Sequence, residues 1–145
     1  MPYKHILAAV DLSDEAKQVL DKARATADSH GAKLSLINVV KPLSQVYGGL
    51  DMAPIAKGSV SFEEEALKQA AQQLRDNGKI CRIDRANVHV KVGNPAHEIR
   101  DAATELEADL IVIGTHGRHG LGLLLGSTAN AVLHGVGCDV LAVRV

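Results

Sequence analysis

Short β-branched apolar runs alternate along this chain with stretches whose apolar positions recur every three to four residues. His5 to Val10 carries the unbroken run Ile6-Leu7-Ala8-Ala9-Val10, the pattern of a parallel strand buried on both faces. The run stops at Asp11. Ser13 is expected to cap the next helix, with Asp14 and Glu15 in a first turn where the helix dipole favours acid. Ala16, Val19, Leu20, Ala23 and Ala27 line one face of that helix, and Gly31 ends it. Lys33 to Val40 reads as the second strand. In Asn87 to Val92 the residues Val88, Val90 and Val92 alternate with His89 and Lys91, as in an edge strand with one wetter face.

Between these two strands, Ser61-Phe62-Glu63-Glu64 reads as a capping box that opens the second helix, with Ala66, Leu67, Ala70, Ala71 and Leu74 as its buried stripe. Residues 41–60, with Pro42, Gly48, Gly49, Pro54 and Gly58, are expected to form a long flexible surface loop. Tyr47 and Met52 are its candidates for folding over a site. Asn94-Pro95 is a cap followed by proline at the first helical position. Ile99, Ala102, Ala103 and Leu106 then face the core. Asp109-Leu110-Ile111-Val112-Ile113 is the fourth strand. Ala129, Val132, Leu133 and Val136 mark a fourth helix closed by Gly135 and Gly137, and Asp139 to Val145 is the fifth strand.

Strict alternation of strand and helix predicts an α/β fold: one doubly wound, open parallel sheet of five strands with helices on both faces. The expected strand order is 3-2-1-4-5, which is Rossmann-like. Its switch point lies between the first and fourth strands, where such sheets bind ligands outside the carboxyl ends. Asp11 and the segment after Ile113 converge there.

Composition narrows the picture. At 145 residues, the chain reads as one domain, residues 1–145. Tyr3, Tyr47 and Phe62 are its only aromatics, so the core must be aliphatic and no stacking platform for single-stranded nucleic acid is available. A net charge of −1 without a basic block argues against duplex DNA. Cys81 and Cys138 lie in no metal spacing and read as reduced structural thiols. With no signal-like segment and no apolar run long enough to cross a bilayer, the chain reads as cytoplasmic, without membrane insertion.

The chemistry concentrates in Gly114 to Thr128. A strand that ends in glycines and opens a helix through Gly126-Ser127-Thr128 can present backbone N–H groups to an anion. Glycine permits close approach, and Ser127 and Thr128 can cap the helix or bond a phosphate oxygen. Arg118, and His116 or His119 when protonated, add positive charge. The alternative is a tight connection in which Ser127 is an ordinary N-cap. Asp11 has a similar alternative, as a cap of the turn that follows it. His5, His30, His89, His97 and His134 read as surface or helix-end histidines. No Walker A loop is present, and Gly120-Leu121-Gly122 lacks the dinucleotide-binding spacing. Ser127 lacks the frame of a nucleophile elbow, and no catalytic residue is assigned. A receiver domain would need an acidic phosphoacceptor after the third strand, where this chain has Val92-Gly93-Asn94.

Over nearly its whole length the chain resembles the universal stress proteins. The resemblance rests on Tyr3 to Ser13, on Asp109 to Gly117, on Leu124-Leu125-Gly126-Ser127-Thr128-Ala129 and on Cys138 to Val143. Members that bind ATP space their glycines as Gly, two residues, Gly, nine residues, Gly, then Ser or Thr. Gly114, Gly117 and Gly126 follow that pattern with eight residues in the longer gap.

The resemblance implies a site for ATP or AMP, with Mg or Mn as a possible bridge between phosphates but no dedicated metal cage. Ala9, Val10 and Asp11 would lie along the adenosine, Asp11 near the ribose hydroxyls, and Val39 against the adenine. Gly114 and Gly117 would allow close approach to ribose and α-phosphate, and Ile113, His116 and Arg118 would belong to the same nucleotide site. Gly126, Ser127 and Thr128 would take the outer phosphates. The resemblance also implies a homodimer through the last strand, residues 139–145, a nucleotide-responsive stress or signalling role, and a protein partner of unknown identity. Two alternatives stay open: a member that binds no nucleotide and acts through protein contacts, and a slow ATPase.

Overall fold

The computed structural model describes residues 2–40, 56–115 and 127–145, with the backbone alone over 56–63. Its strands are β1 (His5–Ala9), β2 (Lys33–Val40), β3 (Val88–Val92), β4 (Leu110–Gly114) and β5 (Asp139–Val143). The helices are α1 (Ala16–His30), α2 (Ala56–Ile80), α3 (Pro95–Glu105) and α4 (Ser127–Gly135), with a 3-10 turn at Arg85–Asn87. The sheet is parallel throughout, in the order β3-β2-β1-β4-β5. That is the topology the alternating pattern predicts.

Strand parity divides the core into two layers. Ile6 and Ala8 of β1 and Val10 just past it, with Leu34, Leu36, Leu110 and Val112, pack against Val19, Leu20, Ala23, Ala27 and Leu74 of α1 and α2. Leu7, Ala9, Ile37, Ile111 and Ile113 point the other way, onto Ala96, Ile99, Ala102 and Ala103 of α3 and Ala129 and Val132 of α4. Alanine recurs on every described helix face that meets the sheet. No aromatic is among the buried described residues, and aliphatic strand side chains fill the space between the layers.

Helix ends follow local chemistry in two places and depart from expectation in two others. Gly31 takes φ 66° and closes α1, and Asn94 Oδ1 accepts the His97 N–H at 3.0 Å to open α3. Ser13, however, does not cap α1. The helix begins at Ala16, and Glu15 occupies the capping position without a side-chain bond. The Ser13 hydroxyl is taken by Asp11, whose Oδ1 accepts both it and the Ser13 N–H. The capping box at Ser61 does not start α2 either, because the helix already runs from Ala56. Ala56 and Lys57 are good helix formers, so the helix extends back through Gly58 and shortens the expected 41–60 loop. Residues 41–55, with Tyr47 and Met52, lie outside the described residues.

His5 and His89 are not surface residues. His5 is half-buried. Its Nδ1–H donates to the Leu106 carbonyl at 2.9 Å, and its Nε2 accepts the Ser35 hydroxyl at 2.7 Å. His89, on the same sheet face, has a buried Nε2 without a hydrogen-bond partner. Apolar surroundings lower both pKa values, the effect of burial on a cation. Burial likewise pushes the free thiols of Cys81 and Cys138 up, as expected of unreactive structural cysteines.

Candidate functional site

The hydrogen bonds at the carboxyl ends of β1 and β4 show how the site opens. The two strands pair in register as far as Ala9 and Ile113. Beyond that row they part. Val10 turns to β2: its N–H donates to the Ile37 carbonyl at 3.0 Å, and its own carbonyl accepts from Asn38 Nδ2 at 2.8 Å. The continuation of β4 turns to β5: Gly114 pairs with Val143, and the Thr115 N–H donates to the Val143 carbonyl at 2.9 Å. The Val145 N–H then donates to Thr115 Oγ1 at 3.3 Å. A crevice opens where the strand order reverses.

Of the expected contact residues, Ala9, Val39 and Ile113 share one side of the sheet, whereas the Val10 side chain is buried in the opposite layer. Ala9 and Ile113 are buried, and Val39 is half-buried beyond them; all three belong to the layer that also holds α4. Asp11 is exposed just past the end of β1, with one carboxylate oxygen occupied by Ser13. This is the turn-capping arrangement expected as its alternative role, and the other oxygen makes no hydrogen bond to a described residue. Gly114 is half-buried at the end of β4.

Across the crevice, α4 begins at Ser127, which is exposed, followed by half-buried Thr128. Since α4 runs back antiparallel to the strands, its N-terminus faces the carboxyl end of the sheet. The unpaired N–H groups of the first turn carry partial positive charge. His116, Gly117, Arg118 and Gly126 lie outside the described residues.

This arrangement supplies an apolar wall, an acceptor for hydroxyl groups and a donor-rich helix terminus. Among the described residues no group of three His, Cys, Asp or Glu side chains could hold a metal. A separate groove of about 500 Å³ runs between α1 and α2, lined by Leu12, Leu20, Asp76 and Ile80 among others, and includes none of the expected nucleotide contacts.

One participant was not expected from the sequence. Asn38 is a buried amide inside an apolar strand, and it fixes the direction in which Val10 leaves β1. Its signal was a single Asn interrupting Leu34 to Val40, a position where a polar side chain requires a partner.

The universal stress protein family model matches residues 2–144. The chain belongs to the universal stress protein family. Universal stress protein A homolog 1 of Coxiella burnetii is 41% identical over 143 residues, covering 99% of this chain and 97% of that protein. Universal stress protein A homolog 2 of the same organism is 38% identical, covering 99% and 96%. Among solved structures, universal stress protein UspA from Lactobacillus plantarum superposes with a TM-score of 0.83 at 26% identity, covering 99% of both chains. A universal stress protein solved in complex with cAMP superposes with a TM-score of 0.68 at 25% identity, covering 99% of this chain and 98% of that one. No helix among the described residues of this universal stress protein is long and apolar enough to cross a membrane.

Proposed function

We propose that this universal stress protein binds an adenine nucleotide, ATP or AMP, in the crevice between β1 and β4, and that binding serves a signalling role in the stress response. One observation carries the reading: β1 and β4 part beyond the Ala9–Ile113 row, on the sheet face toward which α4 directs its N-terminus. The adenosine lies along Ala9, Val10 and Val39, with Asp11 accepting from the ribose hydroxyls. Ile113 and Gly114 flank the ribose. Ser127 and Thr128 take the outer phosphates at the helix terminus, together with Gly126, and His116, Gly117 and Arg118 complete the phosphate segment. A related protein's capture of cAMP supports the chemical class. A divalent cation, Mg or Mn, would supply charge neutralisation at the phosphates, without a dedicated protein cage.

The working state is a homodimer in the cytoplasm. Among the described residues β4 is the one strand that pairs with β5, so the outer edge of β5, with Val140, Leu141 and Val143 half-buried, is free to pair with a second copy. The dimer presents the nucleotide-dependent surface to a protein partner. One observation favours a second reading, a family member that acts through protein contacts without nucleotide: eight residues, not nine, separate Gly117 from Gly126.

Calorimetry of ATP, AMP and cAMP with and without Mg²⁺, on wild type and Gly117→Val, separates the two. Saturable binding abolished by the substitution is the expected result. No heat at millimolar nucleotide favours the second reading.

A further inference from the structure

Helix α4 is short, nine residues, and only Ala129 and Val132 are buried among them. Such a helix is weakly anchored by apolar contact alone. A second contact ties it to α3. Arg100 of α3 is half-buried, and its Nη1 donates to the Ala131 carbonyl at 3.1 Å. Ala131 and Gly135 lie one turn apart on the same face of α4. A Cβ on Gly135 would fall 2.8 Å from Arg100 Cδ and 2.9 Å from Cζ, so the guanidinium occupies the space that glycine leaves. The cation thus sits against the last turn of α4, where the helix dipole is negative. The Thr104 hydroxyl donates to the Arg100 carbonyl at 3.1 Å, one turn on in α3.

We infer that Arg100, seated on Gly135, is a positioning residue for the nucleotide site: it holds α4 at its C-terminal end so that Ser127 and Thr128 meet the phosphates at the other. The inference rests on the nucleotide reading above. Arg100 touches no ligand. It acts by fixing the distance and rotation of α4 relative to α3, and a rigid helix of nine residues carries that constraint to its N-terminus. A side chain at Gly135 makes the guanidinium shift from this seat. That gives the glycine a packing reason beyond closing the helix.

The test uses ATP calorimetry on wild type, Arg100→Met, Arg100→Lys, Gly135→Ala and the Arg100→Met/Gly135→Ala double variant, well below each melting temperature. Arg100→Met keeps the length of the side chain and removes the donor, so affinity falls about tenfold, the scale of one charge-assisted hydrogen bond. Arg100→Lys, which can still reach the Ala131 carbonyl, restores most of it. Gly135→Ala weakens binding like Arg100→Met, and the double variant is no weaker than either single one, as expected for residues acting as one unit. Amide shifts of Ser127 and Thr128 move in Arg100→Met before nucleotide is added. A lower melting temperature with unchanged affinity and unmoved Ser127 and Thr128 amides overturns the inference and leaves the nucleotide reading standing. Failure of the wild type to bind overturns both.

Discussion

Asn38 Nδ2 donates to the Val10 carbonyl across 2.8 Å, and this buried bond directs the chain away from β4 at the point where the site opens. A strand end in a parallel sheet would otherwise leave that carbonyl short of a partner. Asn38→Leu removes the donor and strands the acceptor in an apolar layer. The expected loss is about 1–3 kcal/mol of folding stability, the desolvation penalty of one unsatisfied carbonyl, read as a lower urea midpoint. Unchanged stability would mean that the Val10 carbonyl finds another donor.

His5 and His89 contribute to the acid limb of the stability profile. Burial lowers both pKa values below the ordinary 6.5, so the unfolded chain takes up protons first as pH falls. For His5, the Leu106 carbonyl and Asp109 work against burial while Lys33 reinforces it; for His89, Lys91, His5 and Lys33 reinforce it and Glu105 opposes it. Stability is therefore level with respect to these groups above the ordinary histidine range. It declines as pH drops from there toward the lowered folded values. Asp109 enters only at much lower pH: burial raises its pKa, but the Lys4 and His5 amides outweigh that and leave it below 3.8. Chemical denaturation from pH 7.5 to 5 checks the decline, which His89→Gln should flatten. A profile unchanged in His89→Gln would remove His89 from the account.

Asn94 and Ser13 look alike in sequence, each a small polar residue before a helical stripe, yet only one caps. Asn94→Ala should cost about 1 kcal/mol, because its Oδ1 satisfies the His97 N–H at the start of α3. Ser13→Ala should cost less, since its hydroxyl bonds to exposed Asp11 and α1 begins three residues later at Ala16. Thermal melts of the pair rank them, and equal losses would contradict the assignment.

The outer edge of β5 offers a test of assembly. Leu141→Lys leaves a charge where a second copy would pack, so light scattering should report a monomer while the fold persists by circular dichroism. A dimer that survives the substitution would place the interface elsewhere.

The sheet order and both core layers were legible because they rest on periodicity, which strand parity in a parallel sheet preserves. The switch point brought Asp11 and the end of β4 together, as the alternating pattern predicts, whereas the roles of Ala9, Val10 and Val39 rested on the family resemblance alone. Less was legible at helix starts. A capping box is a local preference, and at Ser61 it yields to a helix that begins five residues earlier at Ala56. His5 and His89 were misassigned because a histidine in a half-buried strand has no signature until Ser35, Leu106 and the neighbouring strands are in place. The Arg100–Gly135 contact is likewise invisible in sequence, since it joins two helices across 35 residues.

The central claim is the place of nucleotide binding, and amide NMR during an ATP titration tests it most directly. The predicted result is saturable shifts confined to Ala9, Val10, Asp11, Val39, Ile113, Gly114, Ser127 and Thr128, with the α1–α2 groove silent. Shifts centred on Leu20, Asp76 and Ile80, or none at millimolar ATP, would contradict it.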